Sequence, residues 1–273
     1  MSKILPFLLL LIAVTSWAAD DLAVIYNGQA EVPAGVKFGA WGASSAVNEI
    51  NNTTTIVSDK AYALRIPSDG RYQGARLDLT PAVDAAEILK SKATYLELNL
   101  RPVTGNALPL LRVTFVTTGG QGTLLATAPE MAPREVKNGL WYRIGLPLNR
   151  ITGTVGGNIT RIIITAETKS DLLLNRVALV RETTPLELQA TAFPPVQDKG
   201  HPVFFTALAT AGFAVPVISW NFDSKAGESL DATGDHVLHH YDTPGDYRVI
   251  ATVRDADGNK EPVKIEVMIK VLP

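Results

Sequence analysis

The chain of 273 residues offers four histidines, 27 acidic residues and no cysteine for chemistry. His201, His236, His239 and His240 all fall in the last third. No Ser or Asp stands with them in a pattern that would make a nucleophilic triad. On a strand, His236 and His240 share one face and His239 takes the other, and no carboxylate or thiolate completes a metal set. The missing cysteines exclude disulfides, thiolate metal sites, Cys nucleophiles and a lipid-modified N-terminal Cys. A glycosidase needs two facing carboxylates. Asp78 and Glu97 are the only candidates on predicted strands of the first part, and both read as solvated surface charge. Asp255, Asp257 and Asn259, with Glu266 at the twelfth position, imitate a calcium loop. The sixth position is Lys260 rather than the Gly that loop requires, and Pro262 follows. A hairpin turn is the simpler reading. The chain is therefore expected to be non-catalytic, with no cofactor.

Binding chemistry is better represented. Recognition of a sugar needs an exposed aromatic to stack on a pyranose face and planar polar groups that bond in pairs. Trp41 stands in Phe38-Gly39-Ala40-Trp41-Gly42, flanked by small residues, and is the first stacking candidate. Alternation puts Leu96, Leu98 and Leu100 inward and so Tyr95, Glu97, Asn99 and Arg101 outward. The same period sets Arg76 and Asp78 opposite Leu77 and Leu79, and Arg112 opposite Leu111 and Val113. If these strands share one concave sheet, Trp41, Arg76, Tyr95, Glu97, Asn99 and Arg112 form a polar floor for a glycan. The alternative is an ordinary wet face. Trp141 and Trp220 read as core.

The elements that must position these residues are strands. Apolar residues make up 46% of the chain and charged ones 19%, which is globular usage. A net charge of −2 gives no electrostatic case for nucleic acid or an anionic membrane. Met1–Ala19 reads as a secretory leader: Lys3, the apolar run Ile4–Val14, then Ser16-Trp17-Ala18 as a cleavage site. That run is too short to cross a bilayer, so no transmembrane segment is expected in the mature chain. Secretion without cysteine points to a bacterial export. Asn52-Thr53-Thr54 and Asn158-Ile159-Thr160 fit the glycosylation triplet, which means little in a bacterial protein.

Residues 22–182 carry about ten candidate strands, among them Thr54–Ser58, Tyr72–Leu79 and Thr94–Arg101, and one helical stretch, Asp84–Lys90. That pattern predicts a large antiparallel sandwich or jelly roll. Arg181–Pro185 reads as a linker. Beyond it come strands at Leu186–Phe193, Val203–Leu208, Val217–Phe222, Tyr247–Arg254 and Val263–Val271. Thr243-Pro244-Gly245-Asp246 and Asp257-Gly258 mark turns, so a second, smaller sandwich is expected.

Two resemblances sharpen this. Trp220-Asn221-Phe222-Asp223, His239-His240-Tyr241, Pro244-Gly245, Tyr247-Arg248-Val249 and Asp255-Ala256-Asp257-Gly258 stand in the order of the PKD domain, an immunoglobulin-like sandwich. Asn221 replaces that family's usual Asp, and its turn after Phe222 is lost, so Asp223–Gly234 is expected to be irregular. Gly70–Leu79 with Tyr95–Leu98, Leu140–Leu148, and Ile159–Ile164 with Leu172–Leu179 resemble galactose-binding-like jelly rolls, which include many carbohydrate-binding modules. That family often carries an acidic residue in its last strand, associated with a structural calcium. Here the position is Asn175.

The resulting expectation is an all-β chain: leader 1–19, an antiparallel jelly-roll sandwich over 20–182, and an immunoglobulin-like PKD sandwich over 183–273. The resemblances imply a secreted or periplasmic carbohydrate-binding protein whose partner is a polysaccharide or glycan, with the PKD unit as spacer or protein-contact module. A cell-surface structural or adhesion protein that binds another protein is the alternative, and a jelly-roll polysaccharide hydrolase stands behind it.

Overall fold

The computed structural model describes residues 19–29, 32–42, 62–70, 72–103, 108–131 and 140–273. The leader, the candidate strand Thr54–Ser58 and the Asn52 triplet lie outside the described residues.

Period-two sequences become two antiparallel sheets. The first part contributes β1 (Ala19–Tyr26), β2 (Val36–Trp41), β3 (Leu64–Ser68), β4 (Gln73–Asp84), β5 (Thr94–Pro102) and β6 (Leu111–Thr117). It continues with β7 (Gly120–Leu125), β8 (Tyr142–Pro147), β9 (Thr152–Gly153), β10 (Asn158–Ala166) and β11 (Ser170–Glu182). One sheet runs β1–β11–β5–β8, with β3 also on β11; the other runs β2–β4–β10–β6–β7–β9. Leu96, Leu98, Leu100, Val177 and Leu179 from the first sheet meet Leu77, Val113, Phe115, Ile162 and Ile164 from the second. Each such fully buried side chain contributes about 1.5–3 kcal/mol against exposure. This is the jelly-roll sandwich that the strand count predicted.

The predicted helix Asp84–Lys90 is a single 3-10 turn at Ile88–Lys90. β4 runs on to Asp84 because Val83 and Asp84 pair with Ile159 and Asn158 on β10. Too few residues then remain for a helix, whose first turn costs more than it returns. Trp141 is half-buried just before β8 rather than in the core.

The second part forms a three-stranded sheet, β12 (Glu187–Phe193), β14 (Pro202–Thr210) and β17 (His236–His240). A five-stranded sheet packs on it: β13 (Val196–Asp198), β19 (Val263–Leu272), β18 (Gly245–Asp255), β15 (Pro216–Asn221) and β16 (Ala232–Thr233). Its core joins Val203, Phe205, Trp220, Val249, Ala251 and Ile269. The Trp220 indole donates to the Gly234 carbonyl at 2.9 Å. The His239 ring stacks on Phe222 at 4.0 Å and meets Tyr241 edge-on, while His236 and His240 are exposed. Within the expected irregular stretch Asp223–Gly234, Phe222 N donates to Asp231 and Asn221 donates to the Gly227 carbonyl. Asp255 accepts from the backbone N–H groups of Asp257 and Asn259, so the calcium-like spacing is a capped hairpin turn.

The stretch read as a linker is locked in place. Glu182 and Thr184 are buried. The Lys260 ammonium donates to Glu182 at 2.5 Å, to the Thr184 carbonyl at 2.6 Å and to the Ala211 carbonyl at 2.8 Å. All three of its donors are thereby used. Beside it, Phe213 from the β14–β15 loop packs on Tyr95, Ala178 and Val180. Gly145 makes room for that ring, since a Cβ there would stand 2.2 Å from Phe213 Cγ. Arg150 reaches Asp257, and Asn149 donates to Asn259. Burial pushes the Asp257 carboxyl up against the pull of Arg150.

Candidate functional site

The six residues expected to share a floor are divided between the two sheets. Trp41, Arg76 and Arg112 stand on β2, β4 and β6 of one sheet, and Tyr95, Glu97 and Asn99 on β5 of the other. Alternation on β5 is as predicted, because Leu96, Leu98 and Leu100 enter the core. Tyr95 and Glu97 nevertheless are not solvent-facing. Phe213 covers Tyr95, with ring centroids 5.6 Å apart, and burial pushes its phenol up. Glu97 is buried and accepts from Arg143 at 2.6 Å, with Arg176 at 3.0 Å. Arg143 in turn lies over the Phe213 ring. Asn99 donates to Asn175 at 2.7 Å, at the strand position where the resembling family carries its acidic residue. A strand pattern reports which face leaves the first core, but not that a second unit covers it.

The outer face of the other sheet is partly exposed: Trp41, Arg76, Asp78, Arg112 and Arg161 are half-buried, while Thr165, Ile163 and Thr114 at its centre are buried. Its register aligns Trp41, Gly74, Thr165, Arg112 and Leu125 in one row across five strands. The next row is Gly39, Arg76, Ile163, Thr114 and Thr123. A third holds Lys37, Asp78, Arg161, Val116 and Gln121. Gly74 sits where β4 and β10 close together, since a Cβ there would meet the Ile164 carbonyl oxygen at 2.1 Å. Trp41 is half-buried at the end of β2. Tyr72, 54% exposed, leads into β4 from a left-handed backbone position, φ +67°. Ser68 Oγ donates to the carbonyls of Gly70 and Gln73 and holds that turn.

Each aromatic carries a guanidinium. Arg161 stands over Trp41 at 5.9 Å and Arg112 over Tyr72 at 5.6 Å from the ring centroids. Carboxylates hold these arginines in turn. Asp78 bonds Arg161 and pairs with Arg76 at 3.2 Å, and Glu167 accepts from Arg112 at 2.8 Å. Fixed guanidinium planes lose little freedom when they bond a ligand. The arrangement therefore offers two ring faces and a lattice of planar donors and carboxylate acceptors on a preformed sheet. Sequence patterning does not single out Tyr72, Arg161 or Glu167. The Thr160 bulge, which shifts the β10 register between Ile159 and Arg161, hides Arg161 from a period-two reading. Tyr72 lies in a turn, where alternation gives no facing. Among the described residues, no group of three or more His, Asp or Glu is placed to hold a metal ion.

The PKD domain family matches residues 186–267. No curated protein sequence matches the chain. Among solved structures, a family 30 carbohydrate-binding module aligns with 60% of this chain and 99% of its own at 11% identity, TM-score 0.42. A CBM22-1 xylan-binding domain from Paenibacillus barcinonensis Xyn10C aligns with 62% of this chain and all of its own at 14% identity, TM-score 0.37. A β-1,2-glucanase from Parabacteroides distasonis aligns with 93% of this chain and 39% of its own at 11% identity, TM-score 0.39.

Proposed function

We propose that this is an exported, non-catalytic glycan-binding protein, and that the outer face of the β2–β4–β10–β6–β7–β9 sheet is its binding surface. The observation that carries the reading is the pair of arginine-backed aromatics, Trp41 with Arg161 and Tyr72 with Arg112, on one preformed face. Sugar rings present apolar C–H faces to aromatics and hydroxyl pairs to planar donors and acceptors. Of the six residues expected from sequence, Trp41, Arg76 and Arg112 belong to this surface. Tyr95 lies against Phe213 at the junction between the two sandwiches, Glu97 holds the Arg143 that covers the same ring, and Asn99 bonds Asn175 within the first sandwich. Asp78 and Glu97, the two carboxylates expected from sequence, stand on opposite sheets and cannot flank one glycosidic bond. The leader-like N-terminus supports export to the periplasm or beyond. The test is binding of the full mature chain to cellulose, xylan and β-glucans by affinity electrophoresis and depletion, with Tyr72→Ala and Trp41→Ala. Loss of affinity in both variants, with unchanged thermal unfolding, is expected. Undiminished binding in both rejects this surface.

A further inference from the structure

A second surface stands apart from the one above. On the outer face of the β12–β14–β17 sheet, Phe193 pairs with Phe204 and Phe204 with Leu238, which makes one continuous row across all three strands. These side chains are 74%, 57% and 50% exposed. The neighbouring row is Thr191, Thr206 and His236, all exposed. No outward position in residues 189–193, 204–208 or 236–240 carries Asp, Glu, Lys or Arg. Large exposed apolar side chains scattered singly need no explanation, but a contiguous row does.

We propose that this row is a second glycan platform, which takes a flat, uncharged saccharide chain laid across the strands. Two features select that occupant. The first is area. Three strands spaced about 4.8 Å apart and seven residues at about 3.3 Å each give a face of roughly 330 Å². A stable protein interface needs about 800 Å² per partner, so neither a second copy nor a folded protein is held by this face alone. The second is chemistry. The row from Phe193 to Leu238 spans about 10 Å, and hydroxyl and imidazole groups flank it without a fixed charge. That combination stacks on ring faces and bonds hydroxyls, and it offers nothing to an ionic ligand. Two platforms on one chain bind a polymer with avidity, because the second contact is intramolecular.

The test uses the full mature chain in depletion assays on regenerated cellulose, insoluble xylan and chitin, with light scattering in parallel. The double variant Phe193→Ala/Phe204→Ala is expected to lose at least tenfold in apparent affinity for a polysaccharide that the parent binds. Its melting temperature and molar mass should stay unchanged, because both rings are exposed. Trp41→Ala, measured alone and in the double-variant background, keeps the two surfaces distinguishable. Full retention of binding by the double variant overturns the proposal, as does a parent that binds none of the three polymers. A drop in molar mass on substitution also overturns it, since it would show that a second copy occupies the row.

Discussion

Tyr72 is the side chain through which the proposed binding face is most directly tested. It is exposed and makes no contribution to the core clusters, so its truncation reads out recognition rather than folding. Tyr72→Ala should weaken glycan binding by about tenfold, which corresponds to about 1.4 kcal/mol, and leave the melting temperature within error. Isothermal titration with a soluble oligosaccharide checks this. His239 gives a residue-scale prediction of a different kind. Burial between Phe222 and Tyr241 holds its imidazole below the usual value, and Asp231 and Asp242 pull weakly the other way. As the pH falls through about 6.5, the unfolded chain takes up a proton that the folded chain refuses. Stability contributed by the neutral ring is thus present above that pH and lost below it. The urea midpoint of the parent should fall from pH 7 to pH 5 by more than that of His239→Phe, which keeps a ring and cannot titrate. Equal falls would contradict the account.

At the scale of elements, strand positions and inward faces were legible because a leucine at every second residue of β5 leaves few alternatives. What strand patterning cannot convey is what lies on the far side of a sheet. Tyr95 and Glu97 have the spacing of surface residues, yet Phe213, more than a hundred residues away in sequence, covers Tyr95, and Arg143 and Arg176 close over Glu97. The helix expected at Asp84–Lys90 failed for a related reason. Its propensity was outweighed by ladder pairing with β10, a contact made at long sequence range. On the proposed binding face, the outward facing of Trp41, Arg76 and Arg112 was legible, whereas Tyr72 in its turn and Arg161 after a bulge gave no pattern to read. Gly145 tests the seal between the sandwiches. Gly145→Val forces the Phe213 ring out of a space already filled and should cost about 1–3 kcal/mol by overpacking. It should also open Tyr95 to solvent, measurable as a gain in tyrosine accessibility to quenchers. A variant as stable as the parent would mean that Phe213 does not occupy that seat.

For the whole molecule, the buried and hydrogen-bonded junction should make the two sandwiches unfold as one cooperative body. Lys260→Ala leaves the Glu182 carboxylate buried without its cation, at a cost of about 3–5 kcal/mol. Calorimetry of this variant should resolve two unfolding transitions where the parent shows one. A single unshifted transition would contradict a structural role for the pair. The proposed binding surface is the outer face of the β2–β4–β10–β6–β7–β9 sheet. The central claim is that this face, with its two arginine-backed aromatics, is what the molecule uses. The most direct measurement is the affinity of the full mature chain for a panel of soluble and insoluble polysaccharides beside the double variant Trp41→Ala/Tyr72→Ala. The account predicts binding by the parent to at least one glycan and a loss of at least thirtyfold in the variant, equivalent to about 2 kcal/mol. Parent-level affinity in the variant, or no binding by the parent to any glycan, would contradict it.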